Sequence, residues 1–267
     1  MYRFGFIGAG NMATAILGGI LHSGILAPSA ICATDLSEEK RRSFAEKGIT
    51  PLENAAQVTA QSQFILLAVK PQNIEAVLTQ SASVFSPDKV IISIAAGISA
   101  DCIRRLLNCK DAKIILVMPN TPLLIGYGAV AMSRGEKVSA EEFDFVKKLF
   151  SAAGEVEEIS PKYMNEIIPV NGSSPAFIYL FAKLVCEYSE KLGIPYETAN
   201  RLFCNTLIGS AQMMLRSDKS HQQLIDMVTS PGGTTYAMLD ALKECDFAHA
   251  VEESFDRCIK RAYELGK

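Results

Sequence analysis

Histidine is scarce in this chain, closely paired cysteines are absent, and basic residues do not outnumber acidic ones. Each shortage closes off a class of function. The three histidines and seven scattered cysteines (Cys32, Cys102, Cys109, Cys186, Cys204, Cys245 and Cys258) form no CxxC pair, so no metal site is expected. An odd number of thiols without a framework reads as free cysteine in a reducing, cytoplasmic compartment. Lysine and arginine total 26 against 29 acidic residues, for a formal net charge of −3. A nucleic-acid partner would want a basic stripe that such a balance does not supply, and an acidic membrane surface gains no attraction either. One apolar stretch, Ile114–Met132, raises the question of a membrane span. Pro119, Asn120 and Pro122 interrupt it, and a helix through them would lose hydrogen bonds that lipid cannot replace. The N-terminus enters a strand and a glycine turn at once, so no signal peptide is expected. Internal repeats and low-complexity segments are also missing.

What is present is ordinary globular material: 267 residues, 49% hydrophobic and 21% charged. That length predicts two domains. Residues 1–160 alternate short apolar runs with helical stretches. The runs are Tyr2–Ile7, Ala30–Thr34, Phe64–Val69, Val90–Ile94 and Lys113–Met118. Near-continuous apolar runs of this length suit strands buried on both faces of a parallel sheet. With helices expected over Asn11–His22, Ser37–Lys47 and Ser99–Leu107, the fold class is α/β, a Rossmann-type doubly wound parallel sheet. A helix near Ala140–Phe150 and a weak strand near Glu155–Ile159 close this domain.

Beyond Pro161 the strand signal vanishes. Residues 161–267 predict an all-helical domain with helices near 162–169, 175–192, 196–215, 220–227, 234–243 and 247–265. The first half of the second of these, Ala176–Ala182, is apolar all round, and Leu207, Ile208, Met213, Met214 and Leu215 add more. A helical domain this small cannot hide so much apolar surface by itself. A homodimer through these helices is expected, since closed dimers are the commonest oligomers.

Gly8-Ala9-Gly10-Asn11-Met12-Ala13 lies between the first strand and the first helix. In that setting a GxGxxA string predicts dinucleotide binding. Gly8 allows the tight turn, Gly10 lets the backbone approach a pyrophosphate, and Ala13 lets helix pack on strand. The helix start offers free N–H groups and a positive dipole end to the phosphates. Asp35, ending the second strand, can accept from the ribose hydroxyls and would repel a 2′-phosphate, which tilts the choice of NADH or NADPH toward NADH. Lys40, Arg41 and Arg42 are expected on a solvated helix face, with Glu38 and Arg42 as an i,i+4 pair. Two further strand ends carry prolines, at Ala68-Val69-Lys70-Pro71 and at Met118-Pro119-Asn120-Thr121-Pro122. Asn120 can aim its amide at a nicotinamide or substrate. Lys70 either meets cofactor phosphate or ribose, or is merely solvated.

In the second half the informative string is Ser230-Pro231-Gly232-Gly233-Thr234-Thr235, directly before a helix. Capping alone would account for Ser230 and Pro231. It does not require two glycines followed by two threonines, a pattern that suits a carboxylate cradle with hydroxyls alongside. Gly172-Ser173-Ser174-Pro175-Ala176 likewise precedes a helix and would allow close approach to a nicotinamide. Ketone reduction usually wants a lysine or histidine beside the carbonyl, and no motif presents His221 or His249 for that task. A protonated imine carbon is already electrophilic and needs orientation more than a strong acid. The pocket therefore suits a cyclic imino acid, a small-molecule substrate.

Taken together, Gly5–Ala13, Ala68–Pro71, Met118–Pro122 and Ser230–Thr235 resemble the pyrroline-5-carboxylate reductases, in order and spacing and nearly end to end. The resemblance implies a Rossmann domain, a helical domain that intertwines with a partner's, often with further assembly, and reduction of L-1-pyrroline-5-carboxylate to L-proline by NADH or NADPH. It implies that Ile7, Gly8, Ala9, Gly10, Asn11 and Met12 meet the pyrophosphate. By the same resemblance Asp35 and Asn54 meet the adenosine ribose, and Ala68, Val69 and Lys70 line the cofactor. Ser230, Gly232, Gly233 and Thr234 would hold the substrate carboxylate, and Thr235 would stand beside the ring nitrogen as the catalytic hydroxyl. The family's usual Ser-Gly-Ser-Gly-Pro-Ala-Tyr is replaced by Asn171–Phe177, its arginine before the Met-Pro-Asn-Thr-Pro stretch by Leu116, and a threonine before the Ser-Gly run by Ile168. Two alternatives stand beside this reading. A β-hydroxyacid dehydrogenase would carry a lysine followed by asparagine on the first long helix of the second domain, where Lys183 has no asparagine after it. A catalytically weak dinucleotide-binding protein would account for the Asn171 and Ser174 departures.

Overall fold

The computed structural model describes residues 1–266. Eight strands form one sheet: β1 Tyr2–Ile7, β2 Ile31–Thr34, β3 Thr50–Pro51, β4 Ser62–Leu67, β5 Val90–Ser93, β6 Lys113–Met118, β7 Gly128–Arg134 and β8 Gly154–Glu158. Their order is β3-β2-β1-β4-β5-β6-β7-β8. Neighbours run parallel except β6 and β7, which are antiparallel. Strand order reverses between β1 and β4, the place where open α/β sheets leave a crevice at their carboxyl ends.

Alternation along β1 shows why the sheet is covered on both sides. Phe4 and Phe6 point into one buried cluster with Ile16, Leu17, Phe44 and Phe150. Ile7 points into the other, with Val58, Ile65, Leu78 and Ile103. The first cluster is closed by helices α1 Asn11–Ser23, α2 Glu38–Ala45 and α6 Ala140–Ser151. The second is closed by α3 Ala55–Gln61, α4 Ile74–Ser81 and α5 Ala100–Leu106. The expected doubly wound sheet is therefore present, and α3 and α4 add to the helices anticipated.

Two expectations need correction. β7 was not anticipated; its run of small residues follows Gly126, whose φ is +79°, and carries little strand signal. The link 119–127 is too short for a crossover helix, so β7 returns antiparallel. The helix expected near 162–169 is absent. A 3-10 turn at Pro161–Tyr163 and a π-turn at Ile168–Gly172 take its place. Pro161 and Pro169 remove backbone donors and disfavour α conformation in the residues before them.

Contacts divide the chain into two compact units. The first is Met1–Pro175 together with the segment from Cys258, and the second is Ala176–Arg257. Helices α7 Ser174–Lys191, α8 Tyr196–Arg216, α9 His221–Val228, α10 Thr234–Glu244 and α11 Phe247–Leu265 follow the sheet. In the second unit only Cys186 and Ala199 are buried among the described residues. Phe177, Ile178, Tyr179, Leu180, Phe181 and Leu184, all on α7, are each more than 40% exposed. An apolar helix so uncovered in a single copy is what the sequence led us to expect of a dimer-forming surface. Among the described residues no helix is long and apolar enough to cross a membrane, and no group of three or more His, Cys, Asp or Glu is arranged to hold a metal ion.

Candidate active site

The glycine turn after β1 is built from opposite requirements at its two glycines. Gly8 has φ +100°, and a Cβ there would stand 2.5 Å from the Ala68 carbonyl oxygen. Its N–H donates to Thr34 O at 2.8 Å, tying the turn to the end of β2. Gly10 is the N-cap of α1, and a Cβ on it would meet nothing within 4 Å. Gly8 is therefore demanded by the fold. Gly10 instead keeps space clear in front of a helix start that no side chain caps and whose first turn has no acidic residue. That empty, uncapped end fits a pyrophosphate.

Asp35 braces this turn. Its carboxylate accepts from Ala9 N at 2.8 Å and from Ser37 N at 2.9 Å. Around it lies a cleft of about 1200 Å³ at the carboxyl ends of β1, β2 and β4. Of the residues anticipated for the cofactor, Ile7, Gly8, Gly10, Asn11, Met12, Asp35, Asn54, Ala68, Val69 and Lys70 line the cleft. Ala9 does not line it and acts through its bond to Asp35. Asn54 also caps α3, its Oδ1 accepting from Gln57 N at 2.9 Å.

The basic residues of α2 split. Arg42 pairs with Glu38 at 4.0 Å on the solvent side, as anticipated. Lys40 and Arg41 also line the cleft, Lys40 with 51% of its side chain still exposed as anticipated. Lys40 Nζ is 3.9 Å from Asp35 Oδ2, and Arg41 donates to the Asp35 carbonyl. The cause is the short step from Asp35 to the start of α2 at Glu38, which folds the first turn back over the end of β2. Ser37, Gln72, Asn73, Ala76, Val77 and Ile94 are among the lining residues that were not anticipated. Three of them belong to or flank α4, an element the sequence reading had not placed.

Asn120 is 8% exposed and outside the cleft lining. Its Oδ1 accepts from Ala129 N at 2.9 Å and its Nδ2 donates to Asn171 O at 3.2 Å. The amide thus joins β6, β7 and the π-turn, while its neighbour Pro119 reaches the cleft.

The second unit carries the Ser230–Thr235 turn. Gly232 has φ +72°, and a Cβ on Gly233 would come 2.5 Å from Ser230 Oγ. α10 begins at Thr234 with Gly233 as N-cap and no side-chain cap, so capping does not explain Ser230 and Pro231. Elsewhere in this unit hydroxyls bond back to their own helix, as Thr206 does to Leu202 O and Thr229 to Ile225 O. The uncapped N–H groups of this helix start and the hydroxyls of Thr234 and Thr235 beside them are of the chemical type that can hold an anion. His221 and His249 are exposed and lie outside this turn.

Comparison with known proteins gives the family. The pyrroline-5-carboxylate reductase dimerisation profile matches residues 161–265, and that of the coenzyme F420-dependent NADP oxidoreductases matches residues 3–97. The pyrroline-5-carboxylate reductase of Escherichia coli K12 is 35% identical over 266 residues, covering 99% of this chain and 98% of that protein. The chain belongs to the pyrroline-5-carboxylate reductase family. Among solved structures of the family, the Plasmodium falciparum reductase with NADP bound superposes with a TM-score of 0.91 at 27% identity, over 100% of this chain and 98% of that one. The Coxiella burnetii reductase gives 0.88 at 32% identity, over 100% and 99%.

The structure shows where the residues expected to depart from the pattern of the pyrroline-5-carboxylate reductases lie. Ile168 is buried beside Met118 and Met164. Leu116 packs at the edge of the same group. Ser174 Oγ donates to Pro169 O at 2.6 Å, and Ser173 Oγ lies 3.4 Å from Cys258 Sγ. Leu116 and Ile168 are thus absorbed by packing and Ser174 by a local bond, while Asn171 Nδ2 donates to Met118 O at 2.7 Å and to Ala129 O at 3.1 Å.

Proposed function

We propose that the chain reduces L-1-pyrroline-5-carboxylate to L-proline with NAD(P)H, the last step of proline biosynthesis, in the cytoplasm. The observation that carries this reading is the Ser230–Thr235 turn, an uncapped helix start flanked by hydroxyls in a chain that spans almost the whole length of named reductases. Residues 1–160 bind the dinucleotide, and residues 161–267 bind substrate and form the homodimer. The bound nicotinamide supplies hydride to the imine carbon. Gly8, Gly10 and the start of α1 hold the pyrophosphate, Asp35 and Asn54 the adenosine ribose, and Ala68, Val69 and Lys70 the wall beyond it. Ser230, Gly232, Gly233 and Thr234 hold the substrate carboxylate through hydroxyl and backbone N–H groups. Thr235 Oγ1 hydrogen-bonds the ring nitrogen, aligning the protonated imine so that its carbon accepts hydride as the C=N bond becomes C–N. The decisive assay is oxidation of NADH and NADPH with pyrroline-5-carboxylate, alongside a panel of 3-hydroxy acids run in reverse. Turnover of the imine alone is expected; silence with the imine despite cofactor binding would discard the reading. A dehydrogenase role for Lys183 has little support, since its Nζ sits 3.6 Å from Glu187 on an exposed face of α7.

NADH is the favoured cofactor in this reading, because the Asp35 carboxylate opposes a 2′-phosphate. Lys40 and Arg41 partly offset that charge, so NADPH is accepted less well rather than excluded. Asp35→Ser is expected to raise the ratio of kcat/KM for NADPH over NADH about tenfold, the scale of one unscreened charge contact. An unchanged ratio would refute the assignment of Asp35.

The dimer forms through α7 and its neighbours. Leu180 and Leu184 are one turn apart and about half exposed. Changing both to aspartate removes four leucines from a symmetric interface and should weaken association at least about a thousandfold. Sedimentation at micromolar concentration would show the monomer; a persisting dimer would place the interface elsewhere.

A further inference from the structure

Leu36 is the most exposed large hydrophobic side chain among the described residues, 99% open to solvent. A lone leucine on a protein surface needs no explanation. This one lines the dinucleotide cleft, directly after Asp35. Its backbone position is imposed from both sides. Asp35 Oδ1 accepts from Ser37 N at 2.9 Å, closing an Asx turn with Leu36 at its corner. Asp35 Oδ2 accepts from Ala9 N at 2.8 Å, which ties the same corner to the glycine turn. The cleft therefore keeps a bare apolar side chain on a fixed piece of backbone.

The place of Leu36 says what could cover it. In the dinucleotide reading the pyrophosphate lies at Gly10 and the adenosine ribose at Asp35. The base leaves that ribose from the carbon across the ring from the one that carries the phosphates. It therefore points away from Gly10, toward the residues around Asp35 and those that follow it. Phosphates and ribose hydroxyls gain nothing from a leucine. A purine has two flat faces of low polarity and gains from covering either. Ala76 and Val77 of α4 add further apolar lining to the same cleft.

We propose that Leu36 packs on a face of the adenine base of the bound dinucleotide and holds the base in the cleft. Asp35 then has two duties at once: its carboxylate meets the ribose, and its Asx turn presents the leucine to the base. The proposal rests on the dinucleotide reading of the cleft.

The test is equilibrium binding of ADP-ribose to the full-length protein, with a fluorescent etheno-adenine analogue of ADP-ribose as a second ligand. Covering about 60 Å² of apolar surface corresponds to about tenfold in affinity, so Leu36→Ser should weaken ADP-ribose binding about tenfold. Leu36→Met keeps an apolar side chain of similar volume and should stay within about twofold. Because the side chain is bare in the free protein, both variants should melt within about 2 °C of the unaltered chain. Iodide should quench the bound etheno base at least about twofold more strongly in Leu36→Ser than in the unaltered protein. Undiminished affinity in Leu36→Ser, equal losses in the two variants, or a bound base equally open to iodide with and without the leucine would overturn the proposal. So would a fall in melting temperature that accompanies the loss of affinity, which would make Leu36 a support for the turn. If the unaltered protein failed to bind ADP-ribose, the dinucleotide reading would fall and take this assignment with it.

Discussion

Replacing Thr235 by alanine is expected to lower kcat for the imine about a hundredfold, the usual scale for one lost group positioned at the reacting atoms. The dissociation constant for NAD(P)H should stay within about twofold, because the cleft proposed for the cofactor is lined by the first unit alone. The argument rests on what Thr235 does not do. It is the second residue of α10, half-buried, and its hydroxyl makes no hydrogen bond among the described residues. Mid-helix threonines in the same unit close on the carbonyl four residues back; at Thr235 that carbonyl belongs to Pro231, outside the helix. The hydroxyl is therefore available to a ligand, and its loss removes orientation rather than fold. Single-turnover hydride transfer with a parallel fluorescence titration of NAD(P)H separates the two. An equal fall in both would mean that Thr235 merely holds the start of α10.

The second large effect separates the two glycines of the dinucleotide turn. Gly10→Val fills space that the fold leaves open, so NAD(P)H affinity should fall at least about a hundredfold through lost pyrophosphate contacts. Its structural cost is confined to a poorer N-cap, about 1 kcal/mol or less, or at most about 4 °C in Tm. Gly8→Ala should behave in the opposite order. A side chain there meets the Ala68 carbonyl at 2.5 Å in a left-handed conformation. Strain of about 1–3 kcal/mol should appear as a larger fall in Tm than that of Gly10→Val. Thermal melts without cofactor, followed by titration of the folded fraction, give both numbers. A comparable loss of Tm in the two variants would show that Gly10 is also a glycine of the fold.

Much of this site was readable from residues 1–70 because local chemistry there has one solution. A strand, two glycines with different duties and an acidic residue after the next strand define the turn, and the structure sets these residues together in one cleft. The reach of Lys40 and Arg41 to Asp35 was missed because helical spacing reveals which residues share a face, not which way that face turns. Their direction was set by the tight step from Asp35 to Glu38. β7 escaped notice because Gly-Ala-Val-Ala has little of the bulky, β-branched character by which strands declare themselves. Its strand identity comes from pairing with β6. Asn120 was expected to aim its amide at a nicotinamide or substrate, yet the amide is engaged by Ala129 and Asn171, partners distant in sequence. Such partners are invisible to a reading of local pattern.

The last turns of α11 belong to the first unit although the second unit lies between them and the rest of it in sequence. A Cβ on Gly97 would run into the Ala262 carbonyl, and Tyr263 donates its hydroxyl to Glu166 at 2.6 Å. Ala262 also completes a small core with Met118, Met164 and Ile168. A ribosome delivers the N-terminal end first, so the nascent sheet must wait, with that core unfinished, until α11 has been translated. A truncated product would keep its glycine turn and yet leave Met118 and Ile168 uncovered, an apolar wound by which chaperones and proteases could tell it from a finished chain.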